Sequence, residues 1–200
     1  MGCISGLELC TPGWYCTRSP AGCRDGYCKS GKRATCPAGV FCADGCLSSS
    51  GTGTCPAGSY YTSATGLKNV AECSGTTCPA GLFCEAGCMS SSGTGKCPAG
   101  VYCEAGSTSS SGTGKCPAGV YCEAGSTSSS GTGKCPAGSV YTNTGATSSA
   151  TCNGTPCPAG LFCEAGCTSS SGTGKCPAGL FCEAGCTNSR GTGKCPAGLF

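Results

Sequence analysis

The sequence predicts a small disulfide-rich repeat array: an elongated rod of turns and short β-hairpins, with almost no helix and a minimal hydrophobic core. Three observations predict it. Cysteine supplies 26 of the 200 residues, a density at which a chain reads as a disulfide scaffold. Leu, Ile, Val and Phe together supply only 19 residues, while Gly supplies 37. The tetrapeptide Cys-Pro-Ala-Gly recurs at Cys36, Cys55, Cys78, Cys97, Cys116, Cys135, Cys157, Cys176 and Cys195.

The scarcity of apolar side chains makes covalent closure necessary. Each glycine loses much backbone freedom on ordering, and a chain this poor in large apolar residues stays disordered when reduced. A disulfide closing a loop of about 15 residues contributes roughly 3 kcal/mol in the chain-entropy account. Cytosolic thiols are kept reduced, so the cysteine density implies the outside of the cell, its surface or the secretory lumen.

Several classes are excluded. The net charge of +3 resides in the first 35 residues, and from Cys36 onward seven basic residues face seven acidic ones. That is not the basic stripe of a nucleic-acid binder. No apolar run approaches the roughly 20 residues of a membrane span. Histidine is absent, which removes His-based acid–base catalysis, the Ser-His-Asp constellation and His-containing zinc sites. The expectation is a protein that is not an enzyme and has no cofactor and no metal. Residues 1–10 lack the apolar stretch of a signal peptide, so a mature chain or an internal fragment is expected.

Two regions follow. Residues 1–35 form an irregular cysteine-rich segment with one degenerate unit, Cys10-Thr-Pro-Gly-Trp-Tyr-Cys16. Residues 36–200 are tandem repeats of 19 residues, with two longer units of 23 and 22, and the pattern stops mid-repeat at Phe200.

The 19-residue unit reads Cys-Pro-Ala-Gly, apolar-aromatic-Cys, Glu-Ala-Gly, Cys or Ser, then Thr-Ser-Ser-Ser-Gly-Thr-Gly-Lys. Pro at the second corner and Gly at the fourth suit a type I turn beginning at the cysteine. Val101-Tyr102-Cys103 and its equivalents are a short β-like stretch. The single aromatic of each unit packs on the disulfide or on the neighbouring unit. The Ser/Gly/Thr tail is loop by composition. Glu and Lys recur once per unit, for example at Glu104 and Lys115; they read first as solvated charge and second as ion pairs between units.

The two long units carry Tyr61 and Tyr141 where the others carry the second Cys, and place a Cys later, at Cys73 and Cys152. The pattern Cys55-Pro-Ala-Gly-Ser-Tyr-Tyr…Gly66…Cys73…Cys78-Pro-Ala-Gly resembles the ephrin-receptor-like cysteine-rich repeat. It is also similar to the first module of tumour-necrosis-factor-receptor-type repeats. Cys135 to Gly160 matches in the same way. The resemblance covers two segments of about 26 residues each and implies an extracellular, disulfide-bonded module. The short units depart from that pattern.

Two connectivities fit the residues. In one, each unit closes on itself: Cys36–Cys42, Cys78–Cys84, Cys97–Cys103, Cys116–Cys122, Cys157–Cys163 and Cys176–Cys182. The resemblance implies the matching closures Cys55–Cys73 and Cys135–Cys152 for the long units. In the other, the second cysteine reaches the next unit, as Cys103–Cys116 or Cys122–Cys135. Self-closure is favoured, because a turn followed by a short strand can bring the two Cα atoms within about 4.4–6.8 Å. It leaves Cys46, Cys88, Cys167 and Cys186 outside the repeat pairs, as candidates for bonds to another chain. Their Cys-x3-Cys spacing is also compatible with zinc, but flanking turn and aromatic residues favour disulfide use. No Cys-x2-Cys occurs, which argues against a thioredoxin-like motif.

The hydroxyl-rich tail is the candidate functional element. It reads as an O-glycosylation array on Thr108, Ser109, Thr113, Thr127, Ser128 and Thr132, as a plain solvated loop, or as a flat hydroxyl lattice that binds ice. Asn153-Gly154-Thr155 is an N-glycosylation sequon. The expected function is an extracellular or cell-surface structural protein, a glycosylated rod or fibril whose partners are copies of itself and covalent glycans. The alternative is the stalk or binding module of a receptor or adhesin.

Overall fold

The computed structural model describes residues 7–9, 11–16, 23–24, 27–29 and 33–196. The chain divides into two compact units, Met1–Gly95 with Ala105–Ser109, and Lys96–Glu104 with Ser110–Phe200. Both are built from the same small hairpin, repeated. Cys10, the first residue of the degenerate unit, lies outside the described residues.

Each repeat pairs its fifth and sixth residues with its nineteenth and eighteenth. Val120–Tyr121 pairs antiparallel with Gly133–Lys134. Leu161–Phe162 pairs with Gly174–Lys175, and Val40–Phe41 with Gly53–Thr54. The aromatic therefore stands opposite a glycine, and its ring covers that glycine. A methyl group on Gly174 would lie 3.0 Å from the Phe162 ring. A large ring over a bare cross-strand partner buries apolar surface that the glycine alone cannot. In the long units Ser59–Tyr60 pairs with Thr76–Thr77 and Ser139–Val140 with Thr155–Pro156. Short 3-10 turns, Val70–Glu72 and Ser149–Thr151, fill the extra length. They are the only helical elements among the described residues. In residues 1–35, Trp14–Cys16 pairs with Arg33–Thr35, and Leu7–Leu9, Tyr27–Lys29 and Cys23–Arg24 form a three-stranded sheet.

The first turn differs from the expected one. Val101 donates its N–H to the Pro98 carbonyl at 3.4 Å, and Gly100 has φ +88°. Proline is the first corner and glycine the third, the left-handed position of a type II turn. The physical reason lies in the next repeat. The Cys97 carbonyl, which a type I turn from the cysteine would use, instead accepts the N–H of Gly125. The Gly100 N–H, the donor of that turn, goes to the Cys122 carbonyl.

The same exchange joins repeat to repeat within each compact unit. In the second, Gly125 donates to Cys97, Cys103 donates to Ser126, Gly100 donates to Cys122 and Cys116 donates to Gly100, all at 2.8–2.9 Å. Gly185, Cys163, Gly160 and Cys176 make the equivalent bonds three junctions later. In the first, Gly87 donates to Cys55, Tyr61 to Cys88, Gly58 to Cys84 and Cys78 to Gly58. The backbone polar groups of one repeat are thus satisfied by its neighbour.

Contact extends one repeat further. A methyl group on Gly58 would sit 2.8 Å from the Gly106 carbonyl oxygen and 3.3 Å from Cγ2 of Thr108, two repeats on. Gly100 meets Gly145 and Thr147 in the same way, and Gly138 meets Gly185 and Thr187. The core is almost entirely sulfur. The largest side chains with less than 2% exposure are all cysteines.

Candidate functional surface of the repeat

Eight disulfides are present among the described residues, and each closes its own unit. The short units have Cys36–Cys42, Cys78–Cys84, Cys97–Cys103, Cys116–Cys122, Cys157–Cys163 and Cys176–Cys182. The long units have Cys55–Cys73 and Cys135–Cys152. Cα separations are 5.6–5.9 Å, within the ordinary range for a disulfide. No bond reaches from one unit to the next among the described residues. Eight such bonds point to an oxidising, non-cytoplasmic compartment.

Where the long units lack the second cysteine, a phenol takes its place. The Tyr61 hydroxyl donates to the Pro56 carbonyl at 2.9 Å, and Tyr141 donates to Pro136 at 2.7 Å. Both rings are buried. Burial pushes the Tyr61 phenol above its usual range, a shift that a hydrogen bond with the Ser59 side chain partly offsets.

Cys46, Cys88, Cys167, Cys186 and Cys195 are free thiols. The proposed partners for bonds to another chain are largely inaccessible: Cys46, Cys88 and Cys167 are only 7%, 9% and 8% exposed, and Cys186 is half-buried. Each packs in one buried cluster with its own disulfide, as Cys36, Cys42 and Cys46, as Cys78, Cys84 and Cys88, and as Cys157, Cys163 and Cys167. The thiols donate to backbone carbonyls two residues on: Cys46 to Ser48, Cys88 to Ser90, Cys167 to Ser169 and Cys186 to Asn188. Ser107 and Ser126 occupy this position in the other two short units and are equally buried.

The tail hydroxyls divide into two groups. Thr113 and Thr132 are exposed, but each Oγ1 accepts a backbone N–H, from Glu104 at 2.8 Å and Glu123 at 2.9 Å. Thr52, Thr94, Thr173 and Thr192 do the same in their units. Thr132 also bonds the Ser126 hydroxyl at 2.8 Å. This threonine ties the tail to the Glu-Ala-Gly turn. The sequence signal was available: the position is Thr in all six short units and never Ser. Thr108 and Thr127 are exposed, while Ser109 and Ser128 are half-buried. The neighbouring serines Ser110, Ser111, Ser129 and Ser130 are exposed at the turn tip. That turn is closed by Gly131 donating to the Ser128 carbonyl at 3.1 Å. In three units the first tail serine also accepts the N–H two residues on, as Ser48 does from Ser50, a side-chain mimic of a turn. Asn188 performs that role for Arg190. Asn153, Gly154 and Thr155 of the sequon are all exposed.

No protein-family model matches this chain, and neither does any curated protein. The surface itself therefore carries the functional reading. Glu85, Glu104, Glu123, Glu164 and Glu183 are exposed, as are Lys96, Lys115, Lys134, Lys175 and Lys194. Lys134 lays its stem across Gly166, two repeats on. Two open hollows occur in the second compact unit. One, of about 200 Å³, lies beside Tyr141, Asn143, Thr147 and Asn153; the other, of about 280 Å³, is lined by Glu123, Ser126, Thr127 and Thr132. Both are smaller than the roughly 300–1,000 Å³ of ordinary ligand pockets. Among the described residues no three metal-ligating side chains converge, and no helix is long and apolar enough to cross a membrane.

Proposed function

We propose that this chain is an extracellular structural protein whose repeats build a rod or fibril, with O-glycans on its exposed tail hydroxyls. The observation that carries the reading is the recurring set of backbone hydrogen bonds by which each repeat serves its neighbour, as Gly125 serves Cys97 and Gly185 serves Cys157. Identical bonding in successive units makes a repetitive object in which stability is a sum over junctions. A specific binding site needs one patch unlike the others, and five of the six short repeats offer the same Glu and Lys beside their Thr and Ser tail. The resemblance of the long units to ephrin-receptor-like repeats belongs to the same extracellular reading, and the Cys55–Cys73 and Cys135–Cys152 closures agree with it. No catalytic role is part of this proposal.

The test is electron microscopy and small-angle scattering of the oxidised, secreted chain and of versions with added repeats. Linear particles that lengthen with repeat number and associate side to side support the reading. Particles that remain single and unassociated at high concentration favour a stalk that presents a separate head. For the glycans, a native mass equal to the bare 19.2 kDa rejects them.

A further inference from the structure

We propose that the three-cysteine repeats of Cys46, Cys88 and Cys167 are sites of intramolecular thiol–disulfide exchange, in which the buried third thiol takes over one sulfur of its own unit's bond. Three observations lead there. Cys46, Cys88 and Cys167 are free thiols in an otherwise fully bonded short unit. Each shares one buried cluster with the disulfide it accompanies, Cys36–Cys42, Cys78–Cys84 or Cys157–Cys163. Each is at most 9% exposed, so the bond of its own unit is the reaction partner within reach, and small thiols or other chains are kept out.

The step balances without an outside oxidant or reductant. The Cys88 thiol loses its proton and attacks one sulfur of Cys78–Cys84. A new sulfur–sulfur bond forms to Cys88 as the old one breaks. The displaced sulfur leaves as a thiolate and takes up the proton. The unit keeps one disulfide and one thiol, and the thiol is now at Cys78 or Cys84. Those two residues anchor the ladder: the Cys78 carbonyl accepts the Gly106 N–H, and Cys84 bonds both Gly58 and Ser107. Moving the bond therefore changes which end of the hairpin is covalently held. The repeats with Ser107 and Ser126 at the equivalent place have a hydroxyl that cannot do this chemistry, so exchange-competent and fixed units alternate in blocks along one chain.

The test uses the full oxidised chain held at pH 8.5 without oxidant over minutes to hours, the range of uncatalysed disulfide rearrangement. Acid quenching is followed by alkylation of free thiols in denaturant, reduction, alkylation with a second reagent, and fragment mapping after cleavage at lysine. The expected result is first-reagent label that spreads from Cys88 to Cys78 or Cys84, and likewise in the units of Cys46 and Cys167. Cys97, Cys103, Cys116 and Cys122 stay free of it. Ser107→Cys should install the same spreading in a unit that lacked it. Label that remains at Cys46, Cys88 and Cys167, and at the introduced thiol, overturns the proposal. So does label at Cys116 and Cys122 in the unaltered chain, since that is general scrambling.

Discussion

A methyl group on Gly119 would stand 2.5 Å from the carbonyl oxygen of Gly166, two repeats further along the chain. The same methyl would reach within 2.8 Å of Cγ2 of Thr168. Gly119 also has φ +79°. Gly119→Ala thus combines a left-handed alanine, which costs about 1–2 kcal/mol, with a clash against backbone. Gly160 has φ +80° but meets nothing within 4 Å. Gly160→Ala should show the first cost alone. Thermal melts of the two variants under oxidising conditions should differ, Gly119→Ala being the lower by several degrees. Equal melting temperatures would mean that the next-but-one contact does not exist.

Thr132→Val removes the acceptor for the Glu123 N–H and the partner of Ser126. The shape is kept, so the loss is that of hydrogen bonds, about 1 kcal/mol. Amide exchange at Glu123 should speed up while that at Glu164, held by Thr173, stays as before.

Tyr61→Phe and Tyr141→Phe delete the bonds to Pro56 and Pro136. Each should cost about 0.5–1.5 kcal/mol. The phenol of Tyr61 is raised chiefly by burial, so the folded state holds its proton more tightly than the unfolded chain does. Its contribution is complete below the ordinary tyrosine value of about 10 and is lost as pH rises through the higher folded value. Ultraviolet titration should show a late tyrosinate that disappears in Tyr61→Phe.

Disulfide removal should rank by loop length. The Cys55–Cys73 bond spans 18 residues of separation and Cys97–Cys103 spans six. The chain-entropy account assigns roughly 3 kcal/mol to the first and roughly 2 kcal/mol to the second. Paired Cys→Ser variants should melt in that order, and full reduction should abolish the strand signal in circular dichroism. Retained structure after reduction would show that the ladder holds without its staples.

The array itself was legible because Cys and Gly are chemically singular. Cys36 and Cys42 recur as a pair, and their unit closes on itself. The hairpin followed from the aromatic at Phe41 and the glycines around it. The offset of the first turn was not legible, since it is decided by Gly125, a residue of the next repeat that claims the Cys97 carbonyl. The role of Thr113 was hidden for a different reason. A hydroxyl in a serine-rich run reads as an acceptor of glycans, and only the fold brings it to the Glu104 amide. Buried Cys46, Cys88 and Cys167 looked available to other chains because periodicity does not report which side of a turn faces inward.

The approach of Gly58 to Gly106, and of Gly100 to Gly145, sets a timetable for biogenesis. A repeat emerging from the ribosome lacks this contact until the next-but-one repeat has followed it, although its own disulfide and its bonds to the adjacent repeat can form earlier. Two 19-residue repeats take roughly 2–8 seconds to synthesise at about 5–20 residues per second. The most recent two repeats of a growing chain are therefore always short of that contact, and their short Cys-x5-Cys loops meet the oxidant before it forms.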